Sequence, residues 1–208
     1  MNVTSVSNRE EELRAWFGLP EEASHFALLR LDGEVMNPDL AELEREFYRL
    51  SRTCHPDFFA TKSAEEKERA ERMSTRLNDA YRVLKEPVRR VKYLLELHGD
   101  SGAETQQKVP APLLQFVFEL QEQRQAFEAG DHDRQATLRP ELEAAAQRVA
   151  SERATREARL NELCARWDGD EDSRDEIRKA MRQTHEEQAY LTKLLRRLEE
   201  TLNASAPT

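Results

Sequence analysis

An all-helical protein is predicted by three observations. The residues that favour helix dominate: the chain is rich in Glu, Arg, Leu and Ala and poor in β-branched types, with 35% charged residues and only 6 Gly and 8 Pro in 208. No stretch alternates apolar and polar residues with the period of two that a half-buried strand needs. Helix start and stop signals recur along the chain, with apolar positions stepping by three and four between them.

The elements follow in order. The polar stretch 1–7 reads as a frayed end. A short helix is predicted over 9–17, closed by Gly18 and Pro20, and then a loop carrying an apolar patch of Phe26, Leu28, Leu29 and Leu31. Asn37-Pro38 supplies a helix start, an N-cap residue with proline at the first helical position, and the helix runs to about Cys54 before Pro56. Ser63 with Glu66 is a capping box opening a helix to about Leu84. Pro87 opens another, ending near Gly99. Residues 100–112, with two glycine-flanked polar positions, a Gln pair and two prolines, read as a linker. This gives two domains, 1–99 and 113–208.

The second domain holds three long helical patterns, 113–129, 133–167 and 173–203. Pro140 inside the second predicts a kink or a later true start. Each carries an apolar seam. Leu113, Val117, Leu120, Arg124 and Phe127 form the first. Leu142, Ala146, Val149, Arg153, Arg156, Leu160, Leu163 and Trp167 form the second. Ile177, Met181, Thr184, Gln188, Leu191, Leu195, Leu198 and Leu202 form the third. Three single-striped helices with short joins predict an antiparallel three-helix bundle. The polar members predict that the seam opens midway or that they snorkel.

Charge and cysteine content exclude several functions. The net charge of −9 is shared almost evenly: residues 1–100 hold 16 basic and 20 acidic groups and residues 101–208 hold 16 and 21, so neither half is a basic arm and nucleic acid is not the expected partner. No run is apolar enough for a membrane span or a signal-peptide core. Cys54 and Cys164 have no metal-knuckle spacing and are read as free thiols. No metal and no cofactor are expected.

The chemistry concentrates at His55-Pro56-Asp57. On the preceding helix, at about 100° per residue, Leu40, Leu43, Phe47, Leu50 and Cys54 gather on one side, with Arg45, Arg49 and Arg52 on the other. Taken alone, such an arginine face is most simply a solvated stripe paired with Glu42, Glu44 or Glu46. An enzyme using His55 with Asp57, or Cys54 with His55, lacks any accompanying oxyanion signature, phosphate loop or second carboxylate pair, so the chain is not read as an enzyme. Cys54 falls on the apolar side, as a packing thiol.

A helix with a basic face, then His-Pro-Asp, then a capped helix containing Leu77-Asn78-Asp79-Ala80-Tyr81, then Leu84-Lys85-Glu86-Pro87, resembles the J-domain family. The resemblance implies docking on a DnaK-type chaperone and stimulation of its ATPase. His55, Pro56 and Asp57 match the tripeptide on which stimulation depends, and Arg45, Arg49 and Arg52 match the basic face that meets the chaperone. Phe58 stands where the family often has Lys or Arg, which removes one cation from that contact.

Within the family, Trp16-Phe17-Gly18-Leu19-Pro20, the run 55–60 and the run 89–99 are similar to the co-chaperones of iron–sulfur cluster assembly, which also join a J domain to a three-helix bundle. No glycine/phenylalanine-rich segment, zinc module or N-terminal cysteine-rich segment is present, so a bacterial, cytoplasmic form is expected. The implied partners are an HscA-like chaperone and an IscU-like iron–sulfur scaffold, the scaffold lying on the bundle. The alternative is a J-domain protein with a different client. On the wheel, Leu114 and Phe118 lie about 100–140° from their helix's seam, beside Glu119 and Glu122: apolar side chains the bundle does not need, with an acidic rim. Such a pair reads as a binding hot spot, the alternative being contact with the J domain or linker. Leu114, Phe118, Glu119 and Glu122 match the family's scaffold-binding patch. Tyr190, also off its seam, matches an aromatic position of it. Gln115 replaces a common Met there. Trp167, on its seam, is read as core.

Overall fold

A computed structural model describes residues 15–59, 61–100 and 109–204. The predicted 9–17 helix is described only from residue 15, and most of the predicted linker, 101–108, lies outside the described residues, as does the Phe58 side chain. Among the described residues every regular element is helical. Chain contacts divide the protein into two compact units, 1–93 and 94–208.

The first unit forms α1 (His25–Leu28), α2 (Leu40–Thr53), α3 (Pro56–Phe59), α4 (Ala64–Leu84) and most of α5 (Pro87–Leu97). Helices α2 and α4 make a helical hairpin, packing Leu43 and Leu50 of one and Ala70, Met73, Leu77, Ala80 and Leu84 of the other into the core. The capping box is present in full: the Glu66 amide donates to Ser63 Oγ and the Ser63 amide to the Glu66 carboxylate. A cap of this kind is worth about 1 kcal/mol.

Three local expectations are corrected. The apolar patch at 26–31 is not a plain loop. Ser24 caps a single helical turn, His25–Leu28, that buries Phe26 and Leu28. The turn closes with Leu31 N–H donating to the Phe26 carbonyl and Arg30 N–H to the Ala27 carbonyl. In this arrangement the residue past the helix takes the left-handed conformation usually left to glycine, here Arg30 at φ 57°. Trp16 Nε1–H donates to the Leu28 carbonyl at 2.9 Å, which locks that turn to the entry helix. Second, the cap of α2 is Asp39, not Asn37. The Asp39 carboxylate accepts from the amides of Ala41 and Glu42, where a negative charge also meets the positive end of the helix. Third, Leu40, expected in the apolar cluster, is 54% exposed. It is the first helical residue and lies about 60° from Leu43 on the wheel.

The second unit is an antiparallel bundle of α6 (Leu114–Glu128), α7 (His132–Gly169) and α8 (Arg174–Ala204), led into by a 3₁₀ turn, Ala111–Leu113. Asp131 caps α7, so Pro140 is neither its start nor an interruption: the helix is continuous through it. Leu113, Val117, Leu120, Phe127, Leu142, Val149, Leu191, Leu194 and Leu198 form one core cluster. Trp167 is buried, with the Arg174 guanidinium over its ring. Helix α6, 15 residues and about 22 Å long, covers only part of α7, 38 residues and about 57 Å. One polar seam position, Arg156, has a definite use. Arg156 reaches across to the Glu187 carboxylate at 3.1 Å and also pairs with Glu152 on its own helix. Gln183 donates to Glu187, and Gln188 is buried beside it. The seam therefore stays closed through an ion-paired layer, since buried charge is tolerated only when paired.

Candidate functional sites

The first site grows from the end of α2. The helix stops at Thr53, Cys54 caps it, and Pro56 begins α3, so His55 stands alone in the corner between two helices. Proline suits a first helical position because it has no N–H to satisfy. The corner is internally braced. The Asp57 amide donates to His55 Nδ1 at 3.3 Å, and that nitrogen is 3.4 Å from Asp57 Oδ2. Both side chains point to solvent, at 56% and 87% exposure. A braced, exposed imidazole and carboxylate suit recognition by another surface: little ordering entropy is left to lose on docking.

Beneath them, Cys54 is buried, its Sγ directed at the Leu50 carbonyl, and burial pushes its thiol up in pKa. That environment opposes the thiolate a nucleophile needs. Both Cys54 and Cys164 are buried thiols outside any disulfide among the described residues.

The arginines of α2 are not equivalent. Arg45 and Arg52 are exposed. Arg49 is gripped by Glu46 through two 2.7 Å hydrogen bonds, and this pairing, with Arg30 nearby, holds the Glu46 carboxyl below its usual range. Two free-standing cations thus face outward, with the third tied down between them. Sequence reading passed over exposed Tyr48, which lies only about 60° from Arg45 on the same face. An aromatic bordering two arginines was the available signal.

The motif residues around the corner act as supports. Leu77 and Ala80 are core, and the Tyr81 ring stacks on Phe47 at 4.1 Å, fastening α4 to α2. Arg90 is buried and bonds to the carbonyls of Leu84 and Met36. Its sequence neighbours gave no sign of burial. His25 stacks on Tyr93 at 4.1 Å and donates its amide to the Tyr93 hydroxyl. Burial lowers the His25 pKa, with Arg76 acting in the same direction and Asp79 opposing. The fold therefore favours the neutral ring. Its contribution to stability is complete above the ordinary histidine range and is lost as pH falls through it. The urea midpoint should drop from pH 7.5 to pH 5.5, and His25→Phe, which keeps the stacking, should reduce that drop. An unchanged pH dependence in the variant would refute this.

The second site lies on the bundle. Leu114 and Phe118 are 55% and 64% exposed, and Glu119 and Glu122 are exposed beside them. Gln115 donates to Glu119 at 3.1 Å. Tyr190, expected as an exposed aromatic, is half-buried against the bundle core, and burial raises its phenol pKa. Among the described residues no group of His, Cys, Asp or Glu is placed to hold a metal ion, and no helix is long and apolar enough to cross a membrane.

A J-domain hairpin with its exposed corner, joined to a helical bundle, defines a class, and comparison with known proteins agrees. The DnaJ-domain family model matches residues 24–93, so this part of the chain is a DnaJ domain. Beyond that domain, the chain is similar to HscB co-chaperones. It is 35% identical over 112 residues to the co-chaperone protein HscB homologue of Vibrio atlanticus (strain LGP32), covering 54% of this chain and 57% of that one. It is 48% identical over 61 residues to the human iron–sulfur cluster co-chaperone protein HscB, covering 29% and 26%. The solved structure of chaperone HscB from Vibrio cholerae superposes with a TM-score of 0.57 at 25% identity, covering 88% of this chain and 99% of that one. In sequence the matches span little more than half the length of the bacterial relatives.

Proposed function

We propose that the protein is an adaptor co-chaperone of iron–sulfur cluster assembly. Its DnaJ domain docks on a DnaK-type, HscA-like chaperone and stimulates ATP hydrolysis there, while the bundle delivers an IscU-like scaffold protein. The observation that carries this reading is the exposure of the His55 and Asp57 side chains at the end of a helix bearing Arg45 and Arg52, inside a DnaJ domain. The cations steer encounter with an acidic surface, and the Asp57 carboxylate offers a charge-assisted hydrogen bond to an arginine there. The chemistry occurs in the partner, and this chain shifts the partner's conformational equilibrium. The domain arrangement of the reading is 1–99 for the J domain, 100–112 for the linker and 113–208 for the client-binding bundle. Leu114, Phe118, Glu119 and Glu122 are assigned to the scaffold, with Tyr190 supporting them from α8.

The test is single-turnover ATP hydrolysis by an HscA-type chaperone, with and without this protein and with an IscU-type scaffold. Faster hydrolysis and a three-component complex are expected. No acceleration overturns the J-domain role. Acceleration without scaffold binding overturns the adaptor role in favour of a different client.

A further inference from the structure

The bundle also has a groove on the opposite flank of α6. Between α6 and α7 lies a groove of about 310 Å³ lined by Phe116, Glu119, Leu120, Glu141, Ala144 and Arg148, with Ala145 and Gln123 completing it. Its floor belongs to the folded core: Leu120 is a core residue, and Phe116 and Ala145 pack against that core. Such a groove exists before any partner arrives, so binding in it requires little reorganisation. Its walls are charged, with two carboxylates, Glu119 and Glu141, against one guanidinium. That guanidinium, Arg148, already lies over the Phe116 ring at 4.5 Å.

The groove is continuous with the Leu114–Phe118 patch through Glu119, which lines the one and borders the other. On the helical wheel the patch lies about 60–100° to one side of Val117, and Phe116 and Gln123 about 100–120° to the other. A partner covering the exposed ridge of α6 therefore meets apolar surface on both flanks, with carboxylates between.

Building on the scaffold-binding role proposed above, we infer that the α6–α7 groove is a second anchor pocket for the scaffold protein. It takes one large apolar side chain of a scaffold segment that also carries an adjacent Lys or Arg. The apolar side chain rests on Leu120, Ala144 and Ala145, beside the Arg148–Phe116 pair, and the cation meets Glu119 and Glu141. One apolar anchor on each flank of a single helix fixes the direction of the bound segment, which the Leu114–Phe118 patch alone does not.

The test uses the full-length protein and calorimetric titration with a purified IscU-type scaffold. Ala144→Trp fills the groove from an exposed position, and affinity should fall about tenfold or more. Glu141→Lys, an exposed charge reversal that leaves packing alone, should weaken binding severalfold and flatten its salt dependence, and it serves if the tryptophan variant does not fold. Leu114→Ala with Phe118→Ala is measured in parallel. Wild-type affinity in both groove variants, with loss in the patch variant, overturns the second anchor and leaves the scaffold role standing. Wild-type affinity in all three overturns the scaffold role itself. Loss in the groove variants but not in the patch variant overturns the two-flank arrangement.

Discussion

His55→Gln is expected to reduce stimulation of the DnaK-type chaperone's single-turnover ATP hydrolysis by about 30-fold or more, the effect of losing one interface hot spot of about 2 kcal/mol. The expectation rests on where His55 stands. It lies outside both flanking helices and is 56% exposed, so substitution costs the fold almost nothing. What changes is local. The imidazole Nδ1 accepts the Asp57 amide at 3.3 Å, which ties the ring to the first turn of α3. A glutamine side chain has more freedom and loses more entropy in taking up the same pose. Asp57→Asn should give a comparable loss by removing the charge. Both variants should keep the wild-type helical signal and melting temperature. Full stimulation by folded His55→Gln protein would sink the J-domain role.

Joint replacement of Leu114 and Phe118 by alanine is expected to weaken scaffold binding by about 2–4 kcal/mol, or about 30- to 1000-fold. Both side chains are more than half exposed, so the bundle gains little from them. Their cost to the free protein is apolar surface left in water, at about 25 cal/mol per Å². Removing them should leave the melting temperature unchanged or slightly raised. Stimulation of the chaperone without scaffold should persist, because these residues lie in the other unit from His55. Unaltered scaffold affinity in a folded double variant would refute the patch assignment.

Much of this protein was legible residue by residue. The helix-forming composition, the capping box at Ser63 and Glu66 and the break of α2 before Pro56 are local properties, set by backbone preferences and nearest neighbours. The exposure of Leu114 and Phe118 was legible from their distance from the seam of α6, whereas Tyr190, equally far from its own seam, is half-buried against the core. Local signals also misplaced some features. Asn37 and Asp39 are both competent caps, and the choice of Asp39 depends on where α2 first finds packing.

The sequence by itself therefore determined the helical class and the residues worth testing. Only the tertiary structure decided what depends on residues far apart in the chain. It buried Arg90 by offering it the carbonyls of Met36 and Leu84. It closed the polar seam by bringing Glu187 to Arg156. It drew Tyr190 half into the core and made a groove between α6 and α7 from residues 116–148. The physical reason is common to all of these: a helix's own period sets which face a side chain occupies, but burial, pairing and cavity shape are set by what another helix brings against that face.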